Sequence, residues 1–230
     1  MARAERAGQA PRALLFDLDG TLTDNFEGIA NCIRYALTHL GIPHPDPDAL
    51  RASVGPPLRE TLPRFLGRDD APTTEAAIAL YRERFSDLGW RENAVYAGVP
   101  DMLAVAARVS PRVLLCTTKP QVYAEKIVAH FGLAGFLQGI YGTSLDGRLD
   151  DKADLLADLL VRENLEGRHC LMIGDRRHDI RAAQRNGARA MGVLWGYGSR
   201  SELMEAGAEA LLAEPADFSR ALAEIQAASS

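Results

Sequence analysis

Apolar and polar positions follow two repeating patterns along much of this chain. Short apolar runs that end in turn residues are typical of buried strands, and they predict strands at residues 13–16, 112–116, 139–141, 169–173 and 189–194. Apolar positions at helical spacing predict the helices between them, at residues 100–109, 120–131, 151–164 and 179–186. Because strands separated by helices pair in parallel through crossover connections, the pattern predicts an α/β fold with a Rossmann-like parallel sheet as its core.

Residues 25–91, which follow the first strand, contain no convincing strand pattern and interrupt this alternation. Helical spacing and helix-start signals predict four helices there, at residues 26–41, 47–54, 58–66 and 74–88. We therefore predict a core made of residues 13–24 and 92–225, an inserted α-helical cap at residues 25–91 and a flexible tail at residues 1–12. Since two chain segments would join the cap to the core, we expect it to hinge shut, expel water and admit only compact ligands.

Composition narrows the function classes. The chain has 230 residues, 47% of them hydrophobic and 25% charged, which is ordinary for a globular protein. A net charge of -5 without long basic runs argues against binding of a nucleic-acid polymer. Cys32, Cys116 and Cys170 are widely spaced among apolar residues, so we predict buried thiols and a cytoplasmic location. The first residues lack the apolar stretch of a secretory signal. The sequence also contains no run of about 18 apolar residues, the length that a membrane helix needs, so no membrane helix is predicted.

Two carboxylates, Asp17 and Asp19, come directly after the first predicted strand and are followed by Gly20 and Thr21. Ligands bind beyond the carboxyl ends of the strands in such sheets. Two adjacent carboxylates repel each other unless a cation or proton lies between them, and a hard divalent ion such as Mg²⁺ prefers oxygen ligands. Gly20 lets backbone amides approach an anion and Thr21 adds a hydroxyl donor, so the segment predicts a phosphate-handling nucleophile site. The alternative is a strand that ends in an ordinary Asp-Gly turn.

Two further segments carry candidate phosphate-binding groups. Thr117 and Thr118 end an apolar run before a helix predicted to begin at Pro120, where Thr117 can bind a phosphoryl oxygen beside the first amides of the helix. The alternative is plain capping of that helix by either hydroxyl. Lys152 opens another predicted helix and can neutralise an anionic group as a compact point charge. The alternative is a surface lysine behind a helix cap at Asp150.

Asp175 follows another predicted strand, and Asp179 lies four residues later in the first turn of the next helix. At that spacing the two carboxylates can return to one place, which makes two more oxygens available to a metal ion. Capping of the helix is the alternative. The five histidines show no spacing typical of zinc ligands, and the chain contains neither a Walker lysine motif nor a Gly-x-Ser-x-Gly nucleophile elbow.

These segments together carry a family resemblance. Asp-Leu-Asp-Gly-Thr at residues 17–21 resembles the first motif of the haloacid dehalogenase-like (HAD) phosphatases. Thr-Thr-Lys-Pro at residues 117–120, Lys152 after a Ser-Leu-Asp-Gly segment, and Gly-Asp-x-x-x-Asp at residues 174–179 resemble the second, third and fourth motifs, in the family's order. With Gly-Tyr-Gly-Ser-Arg at residues 196–200, they are similar to a helical-capped branch whose members are called phosphoglycolate phosphatases and 5'-nucleotidases.

The resemblance implies a role for each of these residues. Asp17 would attack phosphorus to form an aspartyl-phosphate, and Asp19 would act as general acid and then as general base. Thr117 and Lys152 would hold the phosphoryl group. The implied Mg²⁺ ligands are Asp17, Asp19 through its backbone carbonyl, Asp175 and Asp179, the last of which would orient Asp175 or a water. The residues assigned to phosphate or substrate binding are Gly20, Thr21, Thr118 and Lys119.

The function expected from these residues is that of a Mg²⁺-dependent phosphatase acting on a small, soluble phosphomonoester. The resemblance places 2-phosphoglycolate slightly ahead of nucleoside monophosphates, so a 5'-nucleotidase is the first alternative. A phosphomutase is the next, and it differs in whether water reaches the aspartyl-phosphate. A non-catalytic phospho-ligand sensor and a response-regulator-like phosphoacceptor domain are alternatives of another class. The intact acid, lysine and metal positions oppose the sensor, and the helical insert after the first motif opposes the phosphoacceptor.

Overall fold

The computed structural model describes residues 11–67 and 70–227. It divides into two compact units, one helical unit at Thr23–Ala94 and one unit formed by the chain up to Leu22 and from Val95 onward. Of the predicted tail, residues 1–10 lie outside the described residues, and the amide of Arg12 already donates a hydrogen bond to the carbonyl of His169 (2.7 Å). No helix in the described ranges is long and apolar enough to span a membrane.

The larger unit is built on a six-stranded parallel sheet. In chain order, the strands of the described residues are β1 Ala13–Phe16, β2 Thr23–Asp24, β3 Ala94–Val95, β4 Val113–Pro120, β5 Gly139–Thr143, β6 Cys170–Gly174, β7 Arg189–Val193 and β8 Ala210–Leu212. The order across the sheet is β5-β4-β1-β6-β7-β8, and β2 and β3 form a separate pair. Every residue of β1 is buried, as expected for a central strand covered on both faces. The predicted α/β fold with a parallel sheet is therefore confirmed.

Ten α-helices are assigned in the described residues. They are α1 Phe26–His39, α2 Pro47–Ala52, α3 Leu58–Leu66, α4 Ala71–Arg84, α5 Val99–Val109, α6 Gln121–His130, α7 Lys152–Arg162, α8 Arg177–Arg185, α9 Arg200–Glu205 and α10 Phe218–Ala227. The first four lie in the helical unit, where α4 runs into a π-helical turn at Phe85–Gly89. Buried Ile33 and Leu37 of α1 and buried Ile78 of α4 contribute to the apolar interior of that unit.

The second strand of the sequence prediction ends too early. An apolar run predicts a strand at residues 112–116, but β4 continues to Pro120 and α6 begins only at Gln121. Pairing with β5 carries the strand on, with a register irregularity between Cys116 and Pro120. Because backbone pairing does not require apolar side chains, the hydroxyl residues of this segment are part of the strand end.

The elements after residue 194 and the β2–β3 pair are missing from the sequence prediction. β8 has three residues and β2 and β3 have two each, which is too short for a hydrophobic period to be visible. In contrast, α10 carries buried apolar residues at helical spacing, at Phe218, Ala221, Leu222 and Ile225, and the prediction overlooks that signal. The three cysteines are buried and form no disulfide, as predicted.

Candidate active site

The site lies at the carboxyl ends of three neighbouring strands of the larger unit. Asp17 directly follows β1, Thr117 lies near the end of β4, and Asp175 directly follows β6. Since β1 lies between β4 and β6 in a parallel sheet, these ends share one edge. All three side chains are buried. The strand order thus brings together residues that are up to 158 positions apart, from Asp17 to Asp175.

Lys152 lies at the centre of this group of side chains. Its Nζ is 2.6 Å from Oδ1 of Asp17 and 2.8 Å from Oδ1 of Asp179. The lysine is the first residue of α7, whose N-cap is Asp151 rather than the predicted Asp150. The carboxylate of Asp151 accepts hydrogen bonds from the amides of Ala153 (2.8 Å) and Asp154 (3.2 Å), while the ion pairs of Lys152 direct its side chain into the site. With only 6% of its surface exposed, Lys152 is not the surface lysine that the alternative describes.

The electrostatics of the group are those of crowded, buried carboxylates. Burial raises the pKa of Asp17 above its ordinary value, and the ion pair with Lys152 opposes that rise while Asp179 adds to it. Burial, together with the charges of Asp179 and Asp17, raises the pKa of Asp175 well above the ordinary range. Burial alone would lower the pKa of Lys152, but the two aspartates outweigh it and raise the pKa. A further cation would therefore stabilise this site.

One oxygen from each of Asp17, Asp175 and Asp179 lies within 4.8 Å of the others. Oδ2 of Asp175 accepts a hydrogen bond from the amide of Tyr197 (2.8 Å), whereas its Oδ1 is buried and has no hydrogen-bond partner within residues 11–67 and 70–227. A buried carboxylate oxygen in that state is costly unless a cation binds it. Both oxygens of Asp179 already have partners in the protein. Oδ1 pairs with the ammonium group of Lys152 (2.8 Å), and Oδ2 accepts a hydrogen bond from the amide of Arg176 (3.0 Å). The residues present fit a divalent cation held by Asp17 and Asp175, with Asp179 as an orienting group.

The threonines of β4 do not cap the next helix. The N-cap of α6 is Pro120, and no side chain caps that helix, so the capping alternative is wrong. Oγ1 of Thr117 instead accepts a hydrogen bond from the amide of Lys119 (3.3 Å). Thr118 is half-buried, and its carbonyl accepts the hydroxyl of Thr143 (3.0 Å).

Lys119 extends toward the first motif. Its Nζ lies 2.7 Å from Oδ2 of Asp19, and side-chain exposure in this ion pair is 5% for the lysine and 13% for the aspartate. A second ammonium group is therefore held beside the second aspartate of the first motif. The side chains of Asp17, Asp19, Asp175 and Asp179 face two lysines, so the carboxylates outnumber the ammonium groups in the site.

The turn after Asp19 requires glycine. Gly20 has a φ of +87°, and a Cβ at this position would overlap the carboxylate of Asp175. Thr21 is fully buried, and its Oγ1 has no hydrogen-bond partner among the described protein atoms. The carbonyl of Thr21 accepts a hydrogen bond from the indole of Trp195 (3.0 Å).

Sequence reasoning did not assign a role to the segment that follows β7. Gly196 approaches the carbonyl of Gly20 and Gly198 approaches the carbonyl of Asp175 so closely that a side chain at either position would overlap them. Between them, the amide of Tyr197 binds Asp175. The signal in the sequence is the Gly-x-Gly spacing, which indicates close approach of one backbone to another.

Comparisons with known proteins identify the family of this chain. A family model described as haloacid dehalogenase-like hydrolase matches residues 14–193. A protein of Pseudomonas aeruginosa named 5'-nucleotidase is 44% identical over 190 residues, covering 83% of this chain and 86% of that protein. Tyrosine-protein kinase PtkA of Mycobacterium tuberculosis is 38% identical over 196 residues, covering 85% of this chain and 66% of the kinase. A phosphoglycolate phosphatase of Pseudomonas putida is 29% identical over 197 residues, covering 83% and 72%.

The fold of this chain is also similar to that of a solved structure. The crystal structure of a predicted phosphatase from Clostridium acetobutylicum superposes with a TM-score of 0.89 at 35% identity, covering 94% of this chain and 100% of that one. The chain therefore belongs to the haloacid dehalogenase-like hydrolases and, within them, to the phosphatases that hydrolyse phosphoric monoesters.

Proposed function

We propose that this protein is a Mg²⁺-dependent phosphatase that hydrolyses a small phosphomonoester through an aspartyl-phosphate on Asp17. The observation that carries the proposal is the arrangement around Asp17. Its carboxylate lies 2.6 Å from the buried ammonium group of Lys152 and belongs to the same cluster as the carboxylate of Asp175, whose buried Oδ1 has no hydrogen-bond partner among the described residues. A nucleophile, a cationic group and a buried carboxylate oxygen able to bind a metal ion, all at one sheet edge, are the parts that phosphoryl transfer requires.

In the proposed reaction, a carboxylate oxygen of Asp17 attacks phosphorus and the bond from phosphorus to the leaving oxygen breaks. Lys152 offsets the negative charge of the nucleophile as the dianionic phosphoryl group approaches it. The hydroxyl of Thr117 and the backbone amide of Gly20 are the proposed hydrogen-bond donors to the phosphoryl oxygens, because the amide of Thr21 already donates to the carbonyl of Leu18 (3.3 Å). Asp17 and Asp175 would hold a bound Mg²⁺, which would neutralise negative charge on the phosphoryl oxygens.

Asp19 is the proposed proton carrier. In its protonated form Asp19 gives a proton to the leaving alcohol in the first step, and as the carboxylate it accepts a proton from the attacking water in the second. The water oxygen bonds to phosphorus as the bond from phosphorus to Asp17 breaks, which returns Asp17 to its carboxylate form. Lys119 holds the Asp19 side chain by an ion pair of 2.7 Å. Release of inorganic phosphate is the outcome that separates this phosphatase from a phosphomutase.

Removal of divalent metal is expected to lower phosphate release by at least about a hundredfold, because charge stabilisation by a metal ion contributes several kcal/mol. Added Mg²⁺ should restore the rate. Ca²⁺ should inhibit, because its longer bonds and higher coordination number spoil the alignment of the reacting groups. The assay is phosphate release with and without EDTA, and EDTA saturated beforehand with Mg²⁺ is the control. Full activity of metal-free enzyme would contradict the proposal.

We assign the role of a cap domain to the helical unit Thr23–Ala94.

Two phosphate esters are candidate substrates. The relative named 5'-nucleotidase, at 44% identity, favours a nucleoside monophosphate. The relative named phosphoglycolate phosphatase, at 29% identity, favours 2-phosphoglycolate, as the motifs of the sequence also do.

We expect kcat/KM to be highest for one of these two esters and at least about tenfold lower for a phosphotyrosine peptide, a difference of about 1.4 kcal/mol in transition-state binding. The peptide belongs in the panel because of the relative named tyrosine-protein kinase. Sugar phosphates complete the set. A phosphopeptide that outperforms every small ester would overturn the proposed substrate class.

A further inference from the structure

The turn that carries Asp175 and Asp179 is held by a residue outside the site, Glu202 of α9. Oε1 of Glu202 accepts a hydrogen bond from Nε of Arg176 (3.0 Å) and another from the amide of Arg177 (3.0 Å). One carboxylate oxygen therefore binds two successive residues of the segment between the two aspartates. None of these contacts involves a reacting group.

The ion pair is withdrawn from water. The side chain of Arg176 is 9% exposed and that of Glu202 is 17% exposed. Surface ion pairs contribute little because solvent screens them and their side chains move freely. A pair that is this enclosed and has a second hydrogen bond to the backbone restrains its segment more strongly.

The restrained segment sets the direction of both aspartates. The amide of Arg176 donates a hydrogen bond to Oδ2 of Asp179, and Asp175 is the residue that directly precedes Arg176 in the sequence. In the loop that leads into α9, the amide of Tyr197 donates a hydrogen bond to Oδ2 of Asp175 (2.8 Å). The helix that begins at Arg200 is thus tied to Asp175 by two routes.

We propose that Glu202 is a positioning residue for the divalent-cation site, which fixes Asp175 so that its unpartnered Oδ1 faces the bound cation. The inference rests on the proposed function, because it assigns the cation to that oxygen. Groups that orient metal ligands typically change metal affinity by about 10–100-fold when they are removed. Loss of Glu202 is expected to weaken cation binding and to leave kcat at saturating Mg²⁺ close to that of the unaltered enzyme.

The test is binding of Mn²⁺, followed by electron paramagnetic resonance of the free ion, to the full-length protein and to three variants. Glu202→Ala removes both hydrogen bonds, Glu202→Gln keeps the acceptor oxygen and removes the charge, and Glu205→Ala changes an exposed residue of the same helix as the matched control. The dissociation constant should rise about tenfold or more in Glu202→Ala and less in Glu202→Gln. It should be unchanged in Glu205→Ala.

A merely structural role for Glu202 would lower the melting temperature and leave the Mn²⁺ dissociation constant of the folded protein unchanged, and that result would overturn the proposal. If Glu202→Ala does not fold, Glu202→Gln decides the matter, because a dissociation constant equal to that of the unaltered protein would overturn it equally. Failure of the unaltered protein to bind Mn²⁺ would instead refute the proposed metal-dependent function, and the role of Glu202 with it.

Discussion

Replacement of Asp17 by asparagine is expected to lower kcat by about a thousandfold or more, which corresponds to a loss of at least about 4 kcal/mol of transition-state stabilisation. Asparagine has nearly the same shape but no anionic oxygen with which to attack phosphorus. The melting temperature should be unchanged or higher, because the substitution removes one of three clustered, buried carboxylates. Lys152 would keep Asp179 as its partner, 2.8 Å away.

The measurement is kcat for the best small ester, together with thermal unfolding of each protein. Asp101→Asn is a matched control, because Asp101 lies exposed in the first turn of α5 within the same unit. A tenth or more of the original turnover remaining in Asp17→Asn would rule out Asp17 as the nucleophile. Equal losses in both aspartate variants would point to a non-specific effect of the substitution.

Replacement of Lys152 by methionine is expected to have the second-largest effect. Methionine has a similar length and no charge, so Asp17 and Asp179 lose the ammonium group that lies within 2.8 Å of each of them. Removal of one group that stabilises developing charge typically lowers kcat by about 10²–10³-fold. Removal of one member of a buried ion pair also costs about 3–5 kcal/mol of folding free energy, so we expect a lower melting temperature as well.

Steady-state kinetics well below the melting temperature separate the two effects. Lys126→Met on α6 serves as the control, because that lysine is exposed. A rise in KM at unchanged kcat would mean that Lys152 binds the ground state and the transition state equally, which would contradict its proposed role.

The sequence predicts the sheet and the order of the motifs because both depend on local patterns. A buried parallel strand has an apolar run as its sequence, as at Ala13–Phe16. A polar residue directly after such a run marks the end of the strand, where ligands bind. Asp17 and Asp175 could be singled out for this reason. The residue types at these two positions indicate a cation-binding site, whereas the role of each residue follows from the family resemblance.

Other features depend on tertiary contacts that no local pattern records. Lys152 has the sequence context of an ordinary helix start, and only the approach of α7 to the strand ends makes it buried. The end of β4 is decided by pairing with β5 rather than by its own side chains. Glu202 lies 26 positions after Arg176, so nothing near either residue announces the contact.

Chemical trapping at Asp17 tests the central claim most directly. The enzyme is quenched in acid during turnover of a small phosphomonoester and reduced with borohydride, which converts an aspartyl-phosphate to homoserine and leaves free carboxylates unchanged. Mass spectrometry of the peptide that contains Asp17 and Asp19 then locates the change. We predict homoserine at position 17 only in samples quenched during turnover, and none in Asp17→Asn. Rapid phosphate release without modification of Asp17, or with modification at another aspartate, would contradict the account.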